Sequence, residues 1–180
     1  KKIFIKIGIT ADLHLKSINE TPERYEVLNK IIDYLKSQDI KDLIIAGDLF
    51  DKEFHNYSDF ENICRNNTTI NFYIIRGNHD ADLKSSSFSS PNIKVFDDIT
   101  SQKFDNLDFL FLPYQANDTM DKILINYNKN NNLSNKWLLI SHGDYLDLSK
   151  SADEYEKGYY MPLSRNIIYE LKPHRVFLGH

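Results

Sequence analysis

The chain has a single cysteine, Cys64, so no internal disulfide can staple it, and a reducing, cytoplasmic setting is the expectation. Cys64 itself reads as a small apolar core residue. No apolar run approaches the roughly 20 residues that a membrane helix needs. The N-terminal run over residues 3–9 is interrupted by Lys6 and leads straight into a polar motif, which argues against a signal peptide. Positive charge is not in excess either. Lys and Arg number 22 against 26 Asp and Glu, for a formal net charge of -4, so the basic field that marks a stand-alone nucleic-acid binder is missing. A nucleic-acid partner would have to be held by a local patch or a second subunit, and a homodimer is one such assembly. There is no internal repeat and no evident linker. The first residue is not methionine and the last is His180, which reads as a single domain over residues 1–180 trimmed at its C-terminus.

What is present is enough apolar content, 41% over 180 residues, for one sizeable core. Five short runs rich in β-branched and aromatic residues read as buried strands: residues 3–9, 43–46, 72–75, 137–140 and 176–178. Between the first two, Thr21-Pro22-Glu23 supplies a cap, a first-turn proline and a first-turn acid. Leu28, Ile31, Ile32 and Leu35 then repeat at helical spacing. Further helices are expected over residues 57–65, from about Asp118 with Met120, Ile123, Leu124 and Tyr127 on its apolar face, and over residues 162–171 before Pro173. Residues 99–104 and 107–112, split at Asp105-Asn106, read as a β-hairpin. Residues 85–90 and the Asn-rich stretch 128–135 have loop composition. The fold class is therefore α/β: a sandwich of mixed sheets flanked by helices.

Each of the five strands runs directly into polar residues: Asp12-Leu13-His14, Gly47-Asp48, Gly77-Asn78-His79-Asp80, Ser141-His142-Gly143-Asp144 and Gly179-His180. All emerge at carboxyl ends of strands, the edge where open α/β sheets hold their ligands. Singly, each has an ordinary reading, with Asp12 or Asp48 as a loop cap, Asn78 as a turn residue and His142 or His180 as a satisfied strand-end histidine. Five in this arrangement are hard to explain so. Four of the six histidines fall in these motifs, leaving only His55 and His174 outside. Carboxylates, imidazoles and an amide, with no thiolate, suit Mn²⁺, Fe²⁺ or Zn²⁺. Two such ions roughly 3.5–4 Å apart need a bridging anion, and Asp48, flanked by the small Ala46 and Gly47, is the best placed.

This set of motifs resembles the calcineurin-like metallophosphoesterase superfamily, from Ile3 to His180. The resemblance implies a metallophosphoesterase-type sandwich with two divalent metal ions. It places Asp12 and His14 on the first, Asp48 bridging, and Asn78, His142 and His180 on the second. It also implies that His79 donates to the phosphate or the leaving oxygen, with Asp80 either its orienting partner or, equally, a loop cap. The family's last motif is Gly-His-x-His, and its second histidine would lie two positions beyond His180; without it the first metal should bind weakly. Gly47-Asp48-Leu49-Phe50-Asp51, Phe111-Leu112-Pro113-Tyr114 and Tyr159-Tyr160-Met161-Pro162-Leu163-Ser164 further resemble the SbcD-like DNA repair exonuclease branch. That branch implies manganese-dependent cleavage of DNA phosphodiesters, a capping domain after this one and a coiled-coil ATPase partner of the SbcC type. A phosphodiesterase for small nucleotides or other small phosphoesters fits the acidic balance as well. Arg76 reads as a surface ion-pair residue in preference to a phosphate contact, His55 as a surface histidine that loop folding could instead bring to the site, and His174 as a turn residue.

Overall fold

The computed structural model describes residues 5–131, 133, 136–147 and 159–180. Two four-stranded sheets lie face to face. The first has the order β1 (Gly8–Thr10), β2 (Asp42–Ala46), β3 (Asn71–Ile75), β4 (Ile93–Phe96), and its pairings are parallel. The second has the order β10 (Arg175–Gly179), β7 (Trp137–His142), β6 (Leu107–Leu112), β5 (Thr100–Phe104). Antiparallel pairing is confined to its β5–β6 hairpin, which turns at Asp105, φ 53°, and Asn106. A two-stranded ribbon joins β8 (Tyr145–Leu146) to β9 (Leu163–Ser164). The expected sandwich flanked by helices is the observed one, but of the two sheets expected to be mixed only the second is; the first is parallel throughout.

Side-chain alternation builds the layers. Along β2, Leu43 and Ile45 face α1 (Pro22–Ser37) and α2 (Ser58–Asn66), whereas Ile44 and Ala46 face the second sheet. Along β6, Phe109 and Phe111 fill the space between the sheets, and Leu110 and Leu112 pack beneath α3 (Met120–Asn131) and α4 (Arg165–Leu171). The inter-sheet layer is aromatic: Phe96 stacks on Phe111 at 4.0 Å and Tyr73 meets Phe104 edge-on at 5.0 Å. Cys64, on the buried face of α2, has its thiol pKa pushed far up by burial, so it packs as an inert residue. No described helix is long and apolar enough to cross a membrane.

Several boundaries differ from the sequence reading, each for a local reason. The first strand is Gly8–Thr10, its pairing with β2 beginning at Gly8 opposite Leu43, one residue into β2; residues 1–4 lie outside the described part. Thr21 does not cap α1 through its side chain. Its hydroxyl instead accepts the Lys16 N–H at 3.1 Å. The helix α3 begins at Met120 and continues through Asn128–Asn131, where a loop was expected. There the Asn130 and Asn131 amides donate to the carbonyls of Asn126 and Tyr127, four residues back. Asn132, Ser134 and Asn135 are outside the described residues. Ser85–Ser87 form one 3-10 turn within their loop. Helix α4 starts three residues late because Leu163–Ser164 is a strand and Ser164 caps the helix at the Ile167 N–H.

Candidate metal centre

The loops that leave the strands are fastened to one another through backbone. After β1, Asp12 N and His14 N donate to the carbonyls of Gly47 and Asp48, which follow β2, at 3.1 and 3.0 Å. Leu13 and Leu15 are buried beneath these loops, so Asp12 and His14, which alternate with them, are left at the site. On the second sheet, Gly143 N donates to the Gly179 carbonyl at 3.1 Å, joining the ends of β7 and β10. The two sheets are then tied at this edge by the His180 N–H, which lies 3.1 Å from both Asp12 carboxylate oxygens. The close approach demands glycine: a Cβ on Gly47, φ 87°, would stand 2.3 Å from His142 Nδ1, and one on Gly77 2.1 Å from Asp48 Oδ1.

Such packing strains the backbone where the chemistry sits. Asp12, His14, Asp48 and His180 all have positive φ, of 58°, 46°, 50° and 107°. Each costs on the order of 1–3 kcal/mol and persists only because its surroundings fix it.

Asp48 is the hub, 1% exposed. Its Oδ1 accepts the His79 backbone N–H at 2.9 Å. Its Oδ2 lies 3.8 Å from His14 Nε2 and 3.3 Å from His142 Nε2, so one oxygen faces a histidine on either side. The fully buried His142 donates from Nδ1 to the Ala46 carbonyl at 2.9 Å. That leaves its Nε2 facing Asp48 Oδ2 and, at 3.0 Å, Asn78 Oδ1. Burial alone would lower the His142 pKa, but the Asp48 carboxylate and the Ala46 carbonyl outweigh it and raise the pKa. For Asp48, burial pulls upward, and His142 and the His79 N–H turn the net shift downward.

Ligand-capable atoms gather in three overlapping groups, the members of each within 4.8 Å of one another: Asp12, His14 and Asp48; Asp48, His142 and His180; His14, Asp51 and His79. The first two groups share Asp48. The donor set fits a pair of divalent ions, because His142 Nε2, on giving up its proton, joins Asn78 Oδ1 and Asp48 Oδ2 as the third lone-pair atom converging on one point. A cation at that point would reconcile them. All six residues singled out as ligands in the sequence are brought to this one edge.

His79 is there too, its ring edge-on to His14 with centroids 4.7 Å apart. Its partner differs from the expected one. Asp51 Oδ1 lies 3.4 Å from His79 Nδ1, and Lys16 Nζ stands 3.6 Å from the other Asp51 oxygen. Asp80 is turned inward, 5% exposed, where its carboxylate accepts the N–H groups of Gly77, Leu49 and Phe50 at 2.6, 2.8 and 3.2 Å. Of the two roles expected for Asp80, the geometry is that of the loop cap, not the orienting one: its carboxylate joins the loops after β2 and β3. Burial pushes its carboxyl pKa up, and the three donors oppose that push.

Asp144, which the sequence reading gave no role, has Oδ1 at 3.5 Å from His180 Nε2. Both it and Asp51 carried a faint signal, an acid two or three residues past a candidate ligand in the same loop. Arg76 donates from Nε to the Tyr114 carbonyl at 3.1 Å, so its contact is with backbone rather than an acid. His55 is exposed and lines a cleft of about 210 Å³ beside His79. His174 lies at a turn, its N–H on the Trp137 carbonyl at 2.7 Å.

Among known proteins, no curated sequence matches this chain. A solved structure described as a novel archaeal phosphodiesterase is similar at 15% identity, covering 91% of this chain and 86% of that one with a TM-score of 0.48. A model of the calcineurin-like phosphoesterase family matches residues 5–180, a span that takes in every strand end described above. On that match the chain belongs to the calcineurin-like phosphoesterases, hydrolases that use divalent metals on phosphoesters.

Proposed function

We propose that this protein hydrolyses phosphodiesters at a two-metal centre in which Asp48 is the shared ligand. The observation that carries the reading is the single oxygen, Asp48 Oδ2, facing His14 Nε2 on one side and His142 Nε2 on the other. Asp12 and His14 would hold the first ion, and Asn78, His142 and His180 the second. Bound ions would neutralise phosphate charge and lower the pKa of the attacking water. The chain's own groups do the rest. His79, half-exposed at the lip and set by Asp51, offers a proton to the departing oxygen. The cleft beside it, which Phe54 and Tyr57 help to line, receives the leaving arm of the ester. Mn²⁺ is the ion we assign, in keeping with a donor set that has no thiolate.

For the substrate, DNA ends are the finer reading. It is supported by Tyr114 and Tyr160, from two of the exonuclease-like stretches, which meet beside the second ion's ligands. Their rings are 6.3 Å apart, and Tyr160 lies 4.9 Å from the His180 ring. Tyr160 is exposed and Tyr114 half-buried, and aromatic faces at such a rim can stack bases. A nucleotide-sized phosphodiester is the second reading, supported by the net charge of -4, which repels a long polyanion. In the DNA reading, a coiled-coil ATPase subunit or a second copy of the chain would supply the missing basic surface. Incubation with Mn²⁺ and either end-labelled DNA or bis-p-nitrophenyl phosphate separates the two. Turnover of the small ester with intact DNA would end the nuclease reading, and turnover of neither would end both.

A further inference from the structure

Asp144 leaves β7 two residues after His142, and its two carboxylate oxygens serve different elements. Oδ1 faces His180 Nε2 at 3.5 Å, and Oδ2 accepts the Tyr160 backbone N–H at 2.7 Å. Its peptide is tied to the same segment: Asp144 N donates to the Tyr160 carbonyl at 2.9 Å, and Leu163 N donates to the Asp144 carbonyl at 2.8 Å. Gly143 lets these backbones touch, since a Cβ there would stand 2.3 Å from the Tyr160 carbonyl. One carboxylate thus joins a candidate metal ligand to the backbone of an exposed tyrosine at the rim of the site.

The chemistry of the pair is directional. With Nε2 turned toward the Asp144 carboxylate, the His180 ring would keep a proton on that nitrogen and offer the lone pair of Nδ1 to a cation. Carboxylates behind metal-binding histidines act in this way, fixing the tautomer and raising ligand basicity. The bond on the other oxygen is charge-assisted, hence among the stronger ones available to a backbone amide. A group shared by two elements couples them, and the coupling is reciprocal.

We propose that Asp144 is a positioning residue that sets the His180 ring for a divalent cation and passes occupancy of that site to the Tyr160 backbone. This rests on the two-metal reading above. The rim formed by Tyr160 and Tyr114 is then ordered by the metal, so substrate meets a finished edge only on a loaded centre.

The test uses the 180-residue chain, Mn²⁺ titration calorimetry and residue-resolved amide hydrogen exchange at Tyr160. In the unsubstituted chain, added Mn²⁺ slows exchange of the Tyr160 amide. Asp144→Asn keeps an acceptor for that amide but loses the charge behind His180. Mn²⁺ affinity at one site then falls by about 10–100-fold, and the Mn²⁺-dependent slowing at Tyr160 disappears at concentrations that load the unsubstituted chain. Asp144→Ala weakens Mn²⁺ likewise and also leaves Tyr160 unprotected without metal; circular dichroism checks its fold. The proposal is overturned by unchanged Mn²⁺ affinity in Asp144→Asn, or by Tyr160 exchange that ignores Mn²⁺ in the unsubstituted chain. Loss of a whole Mn²⁺ equivalent that excess metal does not restore would overturn it too, because Asp144 would then be a ligand. No Mn²⁺ binding by the unsubstituted chain would instead sink the two-metal reading itself.

Discussion

The two sides of Asp48 are built differently. On one side His142 is fully buried and held by the Ala46 carbonyl, and Asn78 and His180 complete the group, His180 facing the Asp144 carboxylate. On the other, Asp12 is exposed and His14 half-exposed, on a loop held by backbone bonds to the strand-end loop beside it. Arg24, from α1, adds one more restraint by donating to the His14 carbonyl. Dry, orienting surroundings hold a metal ligand in one geometry, whereas a water-exposed one must be ordered when the ion arrives. The His142 side should therefore bind its ion more tightly and exchange it more slowly.

The harshest way to break this contrast is to remove what both sides share. Asp48→Asn is expected to abolish binding of both ions and all turnover, measured by metal analysis and hydrolysis of bis-p-nitrophenyl phosphate. Retention of a full metal complement would show that the bridge lies elsewhere. Next in size is His79→Ala, which should lower kcat by about 10²–10⁴-fold and leave the metal content intact. Asp51→Asn should follow it with a smaller loss in kcat, and Asp80→Asn should not. A pair of single substitutions sharpens the asymmetry: His142→Ala removes the tighter binding event in a Mn²⁺ titration, and His14→Ala removes the weaker. The reverse order would refute the comparison.

Proton bookkeeping gives a further handle. Without metal, the raised His142 pKa contributes stability that is present below its unfolded value and lost as pH rises through the folded one. The lowered Asp48 pKa contributes stability that is present above its unfolded value and lost as pH falls through the folded one. The pair is thus worth most between those limits, and an ion at His142 Nε2 must displace the proton held there. Mn²⁺ binding should therefore release protons and tighten as pH rises through the histidine range, read by calorimetry in buffers of different ionisation enthalpy. Smallest is Asp80→Ala, which strands N–H groups of Gly77, Leu49 and Phe50. It should cost about 1–3 kcal/mol in denaturant unfolding.

The strands buried on both faces were legible in sequence because continuous apolar runs such as those of β2 and β3 leave little choice. β4 was missed: it has four residues with Lys94 in its middle, and only the finished β3 gives it a partner. The ribbon of β8 and β9 is shorter still and depends on a pairing between segments 18 residues apart, Tyr145 with Leu163. Within the site, the strand-end motifs announced the ligand candidates by residue type. The partner of His79 could not be read that way. Adjacency favoured Asp80, yet the turn after β3 folds that carboxylate back onto Gly77, and a loop from 28 residues upstream delivers Asp51. Short-range order lies in composition; which carboxylate meets which imidazole depends on how two loops are laid side by side.

That side-by-side fastening has a further consequence for how the molecule comes apart. The candidate ligands run from Asp12 to His180 and come from both sheets, so two ions that share Asp48 together close nearly the whole chain into loops. The entropy of such closure grows only with the logarithm of loop length, and a clasp of this reach acts on the unfolded ensemble as well as on the native one. Ions at 100 times their dissociation constant add about 2.7 kcal/mol to stability for each site. Thermal unfolding should then be a single transition whose midpoint follows the free metal concentration, and a chelator becomes a denaturant for this fold.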